Sequence, residues 1–108
     1  MTLNEYQDLA MRTSRTDMTA KEHTFNGLLG LAGETGECCD LMKKHEYQDG
    51  RDIWDDLVDE LGDVMWYVAE VASSIGYDLD TIAAHNVEKL KKRYPEGFDP
   101  EKSLHREG

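Results

Sequence analysis

Two short acidic motifs carry the chemistry that the sequence suggests. Glu34 and Glu37 are three residues apart, as are Glu60 and Asp63. On a helix, residues at this spacing lie one turn apart on the same side. Each pair therefore projects from one face. The two pairs also lie at similar distances from a turn centred near Asp49 and Gly50. If the flanking helices run antiparallel, Glu37 and Glu60 sit at one level, and Glu34 faces Asp63 one turn further on. Both levels fall roughly 17–21 Å from the turn at 1.5 Å rise per residue. Four carboxylates crowded together repel one another and raise their pKa values, a penalty that a divalent cation removes. An all-oxygen set suits magnesium, manganese or calcium rather than zinc. Magnesium fits best where a substrate brings phosphates of its own.

The same spacing excludes a rival. Helical di-iron carboxylate proteins use Glu-x-x-His pairs. None of the four histidines, His23, His45, His85 and His105, has a glutamate three residues before it, and none is assigned a role. A second polar group stands on a later segment. Asn86, Lys89 and Arg93 share a narrow arc with Ile82 and offer an amide, an ammonium and a guanidinium, groups that bind phosphate oxygens.

Positioning these groups requires helices. The only two prolines are Pro95 and Pro100, and no stretch alternates with the period of a strand. Four helical segments are expected, at about Leu3–Ser14, His23–His45, Asp52–Ser74, and from Asp78 or Asp80 to just before Pro95. Thr2 and Glu5 fit a capping box, and Gly76 is placed to end the third segment. A polar, irregular tail follows from about 95 to 108. On the second segment, Phe25, Leu28, Leu29, Ala32, Cys39 and Met42 form an apolar arc. On the third, Ile53, Leu57, Leu61, Val64 and Val68 do the same, and the carboxylates border these arcs. Gly27, Gly30, Gly33 and Gly36 interrupt the second segment, each at up to about 1 kcal/mol relative to alanine. Close helix packing is the expected reason at Gly27 and Gly36. At Gly30 and Gly33, packing and room for a ligand weigh equally.

The 108 residues make one small domain, 1–108. A helical core this thin is expected to be completed by a second copy of the chain. The formal net charge of −11 argues against a nucleic-acid surface, which needs a basic patch. The two cysteines, Cys38 and Cys39, form no disulfide pattern. The N-terminus has no signal-peptide pattern, and no apolar run reaches the roughly 18 residues of a membrane span. A cytoplasmic protein without membrane or nucleic-acid partners is expected.

Three blocks together resemble a known family. Asn26–Glu37 (NGLLGLAGETGE), Asp59–Tyr67 (DELGDVMWY) and Asn86–Phe98 (NVEKLKKRYPEGF) are similar to the motifs of MazG-like nucleotide pyrophosphohydrolases. The likeness runs from about Leu3 to Phe98. It implies an all-α, four-helix protomer that assembles as a homodimer or homotetramer, with sites near subunit interfaces. It implies hydrolysis of a nucleoside triphosphate, ribo- or deoxyribo-, to the monophosphate and pyrophosphate. Glu34, Glu37, Glu60 and Asp63 would be the magnesium ligands, with manganese as a substitute, and one glutamate would orient or deprotonate the attacking water. Tyr67 would contact the nucleotide, Asn86, Lys89 and Arg93 would hold phosphates or sugar, and Asn26 is a weaker correspondence. Many relatives carry two consecutive glutamates where this chain has Gly33-Glu34, which leaves the number of metals open. Two other readings are a phosphoribosyl-ATP pyrophosphohydrolase-type activity and a non-catalytic helical module that docks a partner through Trp54 or Trp66.

Overall fold

A computed structural model describes residues 1–101. The chain forms four helices: α1 (Leu3–Met11), α2 (Ala20–Tyr47), α3 (Trp54–Ser74) and α4 (Leu79–Arg93). No strand occurs among the described residues; a bridge links Pro95 and Gly97. Part of the expected tail, residues 102–108, lies outside the described residues.

Local sequence explains most helix ends. Thr2 and Glu5 form the expected capping box on α1. A second box, Thr19 with Glu22, starts α2 three residues before the expected His23, because these side chains satisfy the free N–H groups of the first turn. Helix α1 ends at Met11 instead of Ser14, and α3 begins at Trp54 instead of Asp52. Gly76, with φ +80°, follows the end of α3 in the left-handed conformation that glycine adopts without penalty. Asp78 caps α4 by accepting from the Thr81 amide at 2.7 Å.

Helices α2 and α3 form a long antiparallel hairpin. Helix α1 lies on α3, and α4 packs principally on α1. The small core gathers Ala10, Ala69, Ala72 and Leu79, flanked by Tyr6, Met11 and Trp66. The Trp66 indole donates to the Ala10 carbonyl at 2.9 Å and to the Thr13 hydroxyl at 2.8 Å, fastening α1 across α3. Gln7 adds a polar tie. Its amide donates to Ser73 Oγ and the Tyr77 carbonyl, and its own oxygen accepts from the Leu79 amide.

The apolar arc of α2 remains largely uncovered in the protomer, whereas that of α3 is partly covered, with Ile53 buried and Leu57 and Val64 half-buried. Phe25, Leu28, Leu29 and Met42 on α2 are exposed, as are Val58, Leu61, Met65 and Val68 on α3. The radius of gyration is 16.9 Å, against about 13 Å for a compact domain of this length. The chain spreads its hydrophobic faces instead of closing them on itself.

Candidate metal centre

The hairpin register brings three of the four expected carboxylates together. Glu34 on α2 meets Glu60 and Asp63 on α3, each offering an oxygen within 4.8 Å of the others. Glu34 and Glu60 are half-buried and Asp63 is exposed. Glu34 thus lies near Asp63 as expected, while Glu60 meets Glu34 and not the expected Glu37. Glu37 is the exception: it is exposed and stands outside the three-carboxylate cluster. One helical turn and about 60° of rotation separate it from Glu34, enough to turn it from the α2–α3 seam.

The electrostatics reflect this crowding. The Glu60 carboxyl is pushed up to about 7. The main cause is a hydrogen bond with Glu34, followed by desolvation and the charges of Glu34, Asp63 and Asp59. Such a bond requires a shared proton. With both groups ionised there is none, and Glu34 Oε2 is buried without a hydrogen-bond partner. A buried acceptor without a partner is costly. A hard divalent cation would satisfy it and relieve the repulsion, and an all-oxygen set of carboxylates is the donor set that magnesium or manganese takes. The residues present fit such an ion.

The neighbours are set by close packing. The Tyr67 ring lies so tightly on Gly30 that a Cβ there would fall inside it, and the ring stands edge-on to Trp66 at 5.2 Å. At Gly27 a Cβ would meet Val71 Cγ2 at 2.5 Å. Gly27 and Gly30 are thus packing glycines. Gly33 and Gly36 have nothing within 4 Å of such a Cβ, which corrects the packing reading at Gly36. Burial, and then the charge of Asp63, raise the Tyr6 phenol above its usual value, so α1 flanks the acidic cluster. Cys38 is raised by burial first, then by Glu60 and other neighbours.

Other expected site residues are placed elsewhere. Asn26 donates to both oxygens of Glu70, at 3.0 and 3.2 Å, and lies two turns from Glu34, about 12 Å along α2. Asn86 and Lys89 are exposed on α4. Arg93 is half-buried and already engaged. Helix α4, which carries all three, packs principally on α1. His23, assigned no role from its sequence context, has its Nδ1 2.8 Å from Glu70 Oε2. A signal was present: Glu70 continues the stripe of Glu60, Asp63 and Tyr67 along α3, and His23, Asn26, Gly30 and Glu34 run along α2. Of the tryptophans, Trp66 is internal, whereas Trp54 is about half exposed and packs on the His45 ring at 5.3 Å.

Fold and site define an all-helical protein whose hairpin concentrates carboxylates suited to a divalent cation. Residues 23–98 match the MazG nucleotide pyrophosphohydrolase domain, and the chain belongs to this family. It is also similar to the Gene 37 protein of Mycobacterium phage L5, with 42% identity over 73 residues, covering 64% of each chain. No solved structure matches.

Proposed function

We propose that the chain hydrolyses ribo- or deoxyribonucleoside triphosphates to the monophosphate and pyrophosphate, with magnesium, replaceable by manganese, held by Glu34, Glu60 and Asp63. The observation that carries this reading is the convergence of three carboxylates around the orphaned Glu34 Oε2 in a chain of this family. When bound, the metal neutralises the polyphosphate and lowers the pKa of coordinated water. Glu37, exposed one turn from Glu34, is free to orient the attacking water and accept its proton. Tyr67, fixed against Gly30, borders the nucleotide.

The protein works as a homodimer or homotetramer in the cytosol. The uncovered apolar faces of α2 and α3 support a second copy as their cover, since exposed patches of this kind mark association sites. Asn86, Lys89 and Arg93 of α4 hold the substrate's phosphates or sugar. Light scattering on the eluted protein checks the assembly: Leu29→Glu should shift the wild-type oligomer toward the monomer.

Pyrophosphate release is the test of the activity, measured over the common ribo- and deoxyribonucleoside triphosphates and phosphoribosyl-ATP, with magnesium and with chelator. Metal-dependent release, with the monophosphate as co-product and loss in Glu34→Gln, is expected. Absence of release from every nucleotide would overturn the reading.

A further inference from the structure

Helix α3 carries a second polar station about 10.5 Å beyond Asp63, seven residues on at 1.5 Å each. There Glu70 is 2% exposed, the most buried acidic side chain among the described residues. It accepts from Asn26 at both oxygens, so His23 Nδ1, 2.8 Å from Oε2, supplies the proton of that contact. A carboxylate that holds one ring nitrogen fixes the tautomer and orientation of the other. In its neutral form the ring then presents a lone pair at Nε2, which has no hydrogen-bond partner among the described residues.

A cavity of about 540 Å³ lies against this pair, walled by Asp8, Met11 and Arg12 of α1, Ala20 and His23 of α2, and Glu70 of α3. The volume falls in the range of small-molecule sites, roughly 300–1,000 Å³. The spacing from the carboxylate cluster is of the order of the span of a nucleoside. Helix α1 flanks both places, through Tyr6 beside Asp63 and through Asp8 and Arg12 at the cavity.

We propose that this cavity is the base subsite and that His23 Nε2 accepts a hydrogen bond from an exocyclic amino group, so that amino-bearing bases are preferred over their keto counterparts. The proposal rests on the pyrophosphohydrolase reading above. His23 is the residue that touches the base. Glu70 is a positioning residue that acts through the histidine.

The test compares kcat and KM for CTP against UTP and ATP against ITP at pH 8, above the ordinary histidine range. Wild type should favour CTP and ATP. His23→Ala should raise KM for these two about tenfold, the worth of one hydrogen bond, and narrow both ratios. The kcat value and Mn²⁺ affinity of the nucleotide-free protein should change little. Glu70→Gln, which frees the tautomer, should narrow the ratios as well, a change that a purely structural role would not produce. Ala20→Leu, at the first position of α2, adds bulk to the cavity while leaving both members of the pair in place and should also raise KM.

Equal or reversed base preference in wild type would overturn the proposal. So would unchanged KM values in both His23→Ala and Ala20→Leu, or losses in His23→Ala that fall equally on all bases and on Mn²⁺ affinity. If wild type hydrolyses nothing, the pyrophosphohydrolase reading fails by itself. The cavity is then tested by titrating cytidine and adenosine monophosphates while following the His23 ring resonances: shifts with these and not with uridine monophosphate would sustain the subsite, and no shift would end it.

Discussion

Metal binding should release a proton whose source is Glu60. In the metal-free chain this carboxyl is pushed up to about 7, chiefly through Glu34. A cation must displace that proton, because metal ligands bind deprotonated. At pH 6 the group is about 90% protonated and at pH 8 about 10%, so Mn²⁺ affinity should be about tenfold weaker at pH 6. Calorimetry in buffers of different ionisation enthalpy reads both quantities. About 0.9 proton should leave per ion at pH 6 and about 0.1 at pH 8. In Glu34→Gln, carboxyl NMR of the metal-free protein should find the Glu60 midpoint moved down toward its ordinary 4.5. The same proton affects stability. The folded value lies above the ordinary one, so its contribution is complete below about 4.5 and is lost as pH rises through about 7. The melting temperature of metal-free protein should carry a fall over that window which Glu60→Gln lacks. Mn²⁺ affinity flat from pH 5.5 to 8, with no proton released at pH 6, would refute the reasoning.

Two further comparisons separate neighbours in sequence. Gly30→Ala drives a Cβ into the Tyr67 ring and should cost about 1–3 kcal/mol, read as a melting temperature lower by several degrees. Gly33→Ala meets nothing within 4 Å and should stabilise α2 by up to about 1 kcal/mol; equal destabilisation of both would contradict the packing described. Among the carboxylates, Glu34→Gln should weaken Mn²⁺ binding by about tenfold or more, and Glu37→Gln by less than about threefold, since only Glu34 belongs to the cluster. Calorimetry without nucleotide decides it, and equal losses would place Glu37 among the ligands.

The helices, and the approach of Glu34 to Asp63, were legible in the sequence. Those features depend on local chemistry: Thr2 with Glu5, the left-handed Gly76, and fixed rise per residue on either side of Asp49 and Gly50. Counting along two helices from one turn is enough to align Glu34 with Asp63. It does not say how far each helix rotates about its axis. That rotation is decided by packing, Tyr67 against Gly30 and Val71 against Gly27, and it turns Glu37 outward while Glu34, Glu60 and Asp63 converge. Nothing local in the sequence says that α4 rests principally on α1. Only the tertiary structure joined His23 to Glu70 across 47 residues. A histidine with no glutamate three residues before it looks unremarkable, and its partner is supplied by a different helix, at a distance that periodicity within one segment cannot encode.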